Sequence, residues 1–284
     1  MKLRAYAKIN LGLHVVGKRP DGYHDIETIF HQIDLFDEIE IHQNEEGIHF
    51  TSDAPELSSD SSNLCVRAVN LLRDITGVHA GVEITLNKRI PIGAGLGGGS
   101  TDAAAVLRGL SKMWALDITD DELRTVSASL GSDVPYFLVG GTAYATGRGE
   151  ILEPLNLAIP YWILIVAPAL HVSTTWAYTN LKLTRGIQRD NLPNLLHASI
   201  KNATILRERL KNELEAIVFP HYPEVRQIKE MLLNGGAELA LMSGSGSSVF
   251  GFFSDETTVR KFARELSPRF RVFLTEPLFK PQPC

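Results

Sequence analysis

The sequence predicts an α/β (α+β) protein, and three observations carry that prediction. Short runs with a period of two recur along the whole chain. Helical patterns stand between those runs rather than after them. Several connections are short, glycine-containing turns that send the chain back antiparallel, unlike a doubly wound parallel sheet. No repeat occurs at any fixed period.

The elements follow in order. Arg4 to His14 alternate, with Ala5, Ala7, Ile9, Leu11 and Leu13 on one face and Arg4, Tyr6, Lys8, Asn10 and His14 on the other. Such a pattern predicts a half-buried strand. "RPDGYH" is a turn, in which Pro20 presets φ and Gly22 tolerates positive φ. Two strand patterns follow, Ile26 to Phe30 and "DEIEIH". The polar run Ser58 to Ser62 then feeds an amphipathic helix with Leu64, Ala68, Leu71, Leu72 and Ile75 on its apolar side and Gly77 at its end. "VEITL" alternates and leads to a glycine-rich loop and a helix over about Ser100 to Met113. "TDDE" has capping-box spacing and opens a helix ending near Gly131. "GSDVPYFLVGG" reads as a loop, a short helix and a Gly-Gly stop; "TAYATGRGE" reads as a strand and turn. A seam falls near Glu153 to Pro160, dividing domains at 1–155 and 156–284. Beyond it lie a strand at Tyr161 to Ala167, a helix near Trp176, one long helix over "NLLHASIKNATILRERLKNELE" and another over "PEVRQIKEMLLNGG". The chain closes with strand "AELALMS", turn "GSGSS", strand "VFGFF", helix "DETTVRKFARELS" and strand "RVFLTE".

Composition excludes several classes of function. The 284 residues include 44% hydrophobic and 21% charged residues, a globular balance with enough chain for real cores. The net charge is -5 and no dense Lys/Arg cluster occurs, which argues against nucleic-acid partners. The 2 cysteines, Cys65 and Cys284, form neither a disulfide framework nor a metal pattern and suit a reducing compartment. "MKLRAYAKINLGLHVV" is not a signal peptide, and "YWILIVAPAL" is too short to span a bilayer. A cytoplasmic protein without membrane partners is expected.

The glycine-rich loop carries the chemistry. In "PIGAGLGGGSTDAAAVL" five glycines fall within seven residues just before an alanine-rich helix. Glycine is costly to order, so such density needs a compensating function. Gly93, Gly95 and Gly98 form a G-x-G-x-x-G. The preceding strand alternates, however, and "NKRIP" separates it from the loop, so a dinucleotide fold fits poorly. "GLHVVGKR" has P-loop spacing at Gly12, Gly17 and Lys18, but Arg19 replaces the magnesium-binding Ser or Thr. A third possibility is a nest of backbone N–H groups at a helix N-terminus, which binds phosphate without a Walker lysine. Ser100 and Thr101 add hydroxyls there; alternatively, Ser100 only caps the helix.

Other polar residues have two readings each. Lys8 and Asn10 share a strand face with Cα atoms roughly 6.7 Å apart, and such a face is ordinarily solvated. Asp133 is either functional or the cap of the short helix near Pro135. Tyr23 and His24 follow a turn, where they either stack on a base or merely end a hairpin. "GSGSS" is either a tight hairpin turn or a second wall approaching the ligand. The remaining histidines, including His14, His31 and His171, show no metal spacing.

Together, "AKINLGLHV", "RPDGYH", "PIGAGLGGGSTDAA", "GSDVPYF" and "SGSGSSVF" resemble the GHMP kinase superfamily over nearly the whole chain, in the right order. The pairing of "GLGGGSTDAA" with "RPDGYH" is similar to the branch that acts on a cytidine-diphosphate-linked methylerythritol. The resemblance implies two domains, an N-terminal ribosomal-protein-S5-domain-2-like one and a C-terminal ferredoxin-like one, with the active site between them. It implies ATP-dependent phosphorylation of the substrate's 2-hydroxyl in the non-mevalonate route to isoprenoids. It places ATP on Pro91, Ile92, Gly93, Ala94, Gly95, Leu96, Gly97, Gly98, Gly99, Ser100 and Thr101, with Mg²⁺ riding on the phosphates and no protein metal site. Lys8 and Asp133 become the catalytic pair. Asn10 lies near the diphosphate or reacting hydroxyl, His24 hydrogen-bonds the cytosine with Tyr23 beside it, and Tyr178 stacks on the ring. Thr101 stands where serine is common, and "LMSGSG" departs from L-T-G-S-G at Ser243. A homoserine- or sugar-type kinase and a diphosphomevalonate-type decarboxylase are the alternatives.

Overall fold

The structure is a computed structural model that describes residues 1–183 and 188–282. Cys284 lies outside the described residues. In the first half, strands β1 (Lys2–Lys18), β2 (His24–Asn44) and β3 (Ile48–Ser52) precede helix α1 (Leu64–Thr76). Strand β4 (Gly81–Asn87), helices α2 (Gly98–Met113), α3 (Asp120–Ser127) and α4 (Val134–Val139), and strands β5 (Thr142–Thr146) and β6 (Ile151–Pro154) complete it. The second half runs through β7 (Trp162–Ala167), α5 (Thr174–Asn180), α6 (Leu192–Ser199), α7 (Ala203–Arg209), α8 (Glu215–His221) and α9 (Pro223–Asn234). It ends with β8 (Leu239–Met242), β9 (Val249–Phe253), α10 (Glu256–Leu266) and β10 (Arg271–Thr275).

The first sheet has order β3-β4-β2-β5-β6, with β1 antiparallel along β2. The two strand patterns expected after the first turn are one continuous strand of 21 residues. It serves two neighbours, pairing β5 through Thr28 to His31 and β4 through Glu38 to Asn44. His31 and Gln32 hide the continuity because both are buried polar residues that interrupt the alternation. Each has a partner at the start of β5, far along the chain: His31 Nδ1 lies 2.7 Å from Thr142 Oγ1, and Gly141 N–H donates to Gln32 Oε1 at 2.7 Å.

The second sheet has order β10-β7-β9-β8, with every neighbour antiparallel. Numbered from β7, that is 4-1-3-2, with helices between its first and second strands and between its third and fourth. This βαββαβ arrangement is ferredoxin-like. Its Ile163, Ile165, Phe250 and Phe252 share one apolar cluster with Ala7, Ile9 and Leu11 of β1. The core therefore continues from one sheet to the other.

Three further expectations are corrected. The long helix breaks into α6 and α7, and the chain reaches Glu215 before α8 begins. Asn202 starts α7 by accepting a hydrogen bond from Ile205 N–H. Asn212 donates instead to the carbonyls of Met242 and Gly244, each at 2.8 Å, while Leu214 N–H donates to its Oδ1. On α1, Cys65, Val66, Ala68, Val69 and Leu72 are the buried positions, and Ile75 is 44% exposed, so the apolar stripe is rotated from the expected one. Strand β1 is buried on both faces, not one, because Lys8, Asn10 and His14 point into covered polar surroundings.

Candidate active site

The glycine-rich loop joins β4 to α2. Gly97 is the N-cap of α2 at φ 73°, and no side chain caps that end. Ser100 lies inside the first turn and is not the cap of the helix. The first backbone N–H groups of α2 are therefore available, and the helix dipole adds about half a positive charge there. A Cβ on Gly97 would come within 2.6 Å of the Phe137 ring and 3.3 Å of Lys8 Cε.

Backbone contacts hold the loop from both sides. Lys8 N–H donates to Leu96 O at 3.0 Å. From the second half, Ser248 N–H donates to Ala94 O at 3.1 Å, and Ser243 Oγ donates to Gly95 O at 2.9 Å. "GSGSS" thus forms the β8–β9 turn and, with Ser243, also walls the glycine-rich loop. A Cβ on Gly95 would meet Ser243 O at 2.1 Å, so only glycine permits this approach.

Lys8 and Asp133 converge at the mouth of α2. Lys8 Nζ donates to Asn10 Oδ1 at 2.7 Å and lies 3.5 Å from Asp133 Oδ2 and 4.9 Å from the Phe30 ring centre. Asn10 Nδ2 donates to Thr28 Oγ1 at 2.9 Å, and Thr28 Oγ1 donates to Gly12 O at 2.6 Å. Asp133 occupies the N-cap position of α4 but makes no side-chain cap hydrogen bond. Its carboxylate instead faces Lys8 and is about a third exposed, with Lys8 buried behind it. This pair can accept a proton from a hydroxyl and place positive charge beside it.

His24 and Tyr178 meet farther along the same cavity, with ring centres 5.4 Å apart. Burial, then the Lys18 charge, holds His24 below the ordinary imidazole range, so the ring is neutral near pH 7 with one donor and one acceptor. Burial also pushes the Tyr178 phenol up, and the Asp133 charge adds to that. Tyr23 is 53% exposed at the rim, beneath the Arg148 guanidinium at 4.9 Å.

The cavity measures about 910 Å³, and it unites both loops with Lys8, Asn10, Tyr23, His24, Asp133 and Tyr178. Of the eleven loop positions, Leu96 and Thr101 turn into the protein, at 1% and 3% exposure, while the other nine line the cavity. Several lining residues escaped the sequence reading. Glu56 to Ser58 and Asn63 to Cys65 form a wall at the start of α1. The polar run Ser58 to Ser62 was the available signal, but its distance along the chain hid its position. His171 lies over the loop, with Nδ1 3.2 Å from Gly93 O.

Lys88 also lines the cavity. Its Nζ donates to Asp102 Oδ2 at 2.6 Å and to Asp37 Oδ2. Burial works against the Lys88 charge, but Asp102 and Asp37 outweigh it and hold the ammonium above its ordinary range. Burial pushes the Asp102 carboxyl well up against the pull of Lys88, and Asp37 pushes it further. Asp37 Oδ1 accepts from the backbone N–H groups of Arg89 and Ile90 at 2.6 and 2.8 Å. This buried trio ties β2, the approach to the loop and α2 together.

Comparison with known proteins agrees with this geometry. The GHMP kinases N terminal domain matches residues 63–141, and the GHMP kinases C terminal domain matches residues 192–271. A 4-diphosphocytidyl-2-C-methyl-D-erythritol kinase of Prosthecochloris aestuarii is 44% identical over 98% of both chains. One of Chlorobium phaeobacteroides is 45% identical over 99% of both. A crystal structure of 4-(cytidine 5'-diphospho)-2C-methyl-D-erythritol kinase superposes with a TM-score of 0.82 at 35% identity, covering 97% of this chain and 98% of that one. By sequence over its full length and by fold, the chain belongs to the 4-diphosphocytidyl-2-C-methyl-D-erythritol kinase family of GHMP kinases.

Proposed function

We propose that the chain transfers the γ-phosphoryl group of ATP to the 2-hydroxyl of 4-diphosphocytidyl-2-C-methyl-D-erythritol, yielding the 2-phosphate and ADP in the non-mevalonate route to isoprenoids. The residues 1–155 and 156–284 act as two domains around the cleft. One observation carries the reading: Asp133 and Lys8 stand 3.5 Å apart at the open N-terminus of α2, in a cavity that also holds His24 and Tyr178.

The loop and the first turn of α2 hold the ATP phosphates through backbone N–H groups. The substrate's cytosine sits against Tyr178, with His24 hydrogen-bonding it and Tyr23 closing the rim. Asn10 orients the reacting end. Asp133 takes the proton of the 2-hydroxyl as its oxygen attacks the γ-phosphorus, and the bond to the ADP oxygen breaks. Lys8 stabilises the negative charge spread over the transferring group. Phosphoryl transfer has a loose transition state, so positioning and charge dominate the catalysis. Among the described residues no group of three or more His, Cys, Asp or Glu side chains could hold a metal ion. Mg²⁺ would be carried by the ATP phosphates, with the Ser100 hydroxyl in the first turn of α2 as a nearby donor, and it would neutralise phosphate charge when bound. No helix among the described residues is long and apolar enough to cross a membrane.

The test is ADP release with the cytidyl substrate against homoserine, mevalonate and galactose, with carbon dioxide followed in parallel. Turnover confined to the cytidyl substrate supports the reading; turnover of another alcohol alone, or decarboxylation, overturns it. Asp133→Ala is expected to lose about 10²–10⁴-fold in kcat while still binding ATP. Near-normal turnover would remove Asp133 as the base.

A further inference from the structure

Arg148 has no role in the chemistry above, yet it lines the same cavity. It lies in the turn between β5 and β6, where Gly149 N–H donates to Thr146 O at 3.0 Å and Ile26 N–H donates to Gly147 O at 2.7 Å. The turn is held against Asp133, since a Cβ on Gly149 would lie 3.7 Å from Asp133 Oδ1. On its other side the Arg148 guanidinium covers Tyr23. Arg148 thus stands between the reacting end and the rim of the base-binding end.

Three lysine or arginine side chains line the cavity among the described residues: Lys8, Lys88 and Arg148. Lys8 is committed to Asn10 and Asp133, and Lys88 to two buried aspartates. Arg148 uses only Nε as a donor, to Glu150 Oε1 at 3.4 Å. Its two terminal nitrogens have no hydrogen-bond acceptor among the described residues. A planar guanidinium with both terminal nitrogens available matches two phosphate oxygens, and here the ring beneath it fixes its plane.

We propose that Arg148 binds the diphosphate of the substrate and so sets the preference for a diphosphate-linked cytidine over an unphosphorylated one. The assignment rests on the proposed reaction, because only a substrate extended from the base site to Asp133 carries its phosphates past this turn. Arg148 is a specificity residue here, and it takes no part in proton transfer.

The experiment compares CDP with cytidine as ligands of the full-length protein, by calorimetric titration and by competition in the ADP-release assay. Wild-type turnover of the cytidyl substrate tests the reaction; the two titrations test Arg148 whatever that turnover shows. Arg148→Gln is expected to weaken CDP by about tenfold to a hundredfold. Cytidine should stay within about twofold, and the cytidyl-substrate KM should rise by more than kcat falls. The KM for ATP should stay at its wild-type value. Arg148→Lys should recover part of the loss, since it keeps the charge without the fork. Should Arg148→Gln not fold, Arg148→Lys carries the same comparison, with CDP weakened severalfold and cytidine unaffected. Unchanged CDP affinity overturns the proposal. So does equal weakening of CDP and cytidine, which would reduce Arg148 to a support for Tyr23.

Discussion

Gly95→Ala tests whether the proposed phosphate loop depends on its contact with the second half of the chain. Gly95 has φ 78°, and a left-handed backbone costs a non-glycine residue about 1–2 kcal/mol. The larger effect is steric. The new Cβ would stand 2.1 Å from Ser243 O and 3.0 Å from Gly246 O. Both are backbone atoms, so neither can rotate away. Reaching an ordinary contact means separating the two loops by about an ångström, and a displacement of that size in a reacting assembly costs roughly 10²-fold in rate. Gly141→Ala is the matched control: its φ is 67°, and its Cβ would meet nothing within 4 Å. Both variants carry a similar backbone penalty, but only Gly95→Ala disturbs the loop. In the coupled ADP assay, Gly95→Ala should lose about 10²-fold in kcat/KM for ATP, and Gly141→Ala should stay within a few-fold of wild type. Equal activities for the two, with both proteins folded by circular dichroism, would refute the coupling of the loops.

Two further changes address stability. Lys88→Met leaves Asp37 and Asp102 buried without their cation; a loss of about 3–5 kcal/mol is expected, read as a fall in Tm of roughly 10 °C at pH 7. A change under 2 °C would show that the trio does not hold the loop. His31 is buried, and burial holds its pKa at about 4, against 6.5 for a free imidazole. The unfolded chain therefore binds the extra proton between pH 6.5 and 4. The contribution of neutral His31 is complete above pH 6.5 and falls by about 3 kcal/mol as pH drops towards 4. Urea unfolding of wild type and His31→Asn at pH 7 and pH 4.5 checks the sign, and an unchanged pH slope in the variant contradicts it.

Much of the architecture was legible because period and turn chemistry are local signals. The glycine loop, the capping box at Thr119 and Glu122, and the closing strand–helix–strand run all stand where their residue types require. The failures share a cause. His31, Gln32 and Asn212 are polar residues whose partners lie elsewhere in the fold, and Asn202 caps a new helix inside a helical pattern; such residues blur or cut local patterns. Asn212 reads as one more polar position on a helix, yet it holds the carbonyls of Met242 and Gly244. The site behaves likewise. Its loop announces itself in one short segment. Lys8, His24, Asp133 and Tyr178 were placed through the family resemblance, not through any spacing of their own. Lys88, His171 and Arg148 give no local signal, because each works through a partner distant in sequence.

The grip of Ser243 and Ser248 on Ala94 and Gly95 also bears on how the protein is made. Ser243 lies 148 residues downstream of the glycine it holds. A growing chain can complete the entire first sheet and α2 while this support of the glycine-rich loop is still missing. The loop gains these contacts only after the turn that follows β8 has been made. A product that stops before β8, even with an intact first sheet, therefore leaves Ala94 and Gly95 without the partners that Ser248 and Ser243 supply.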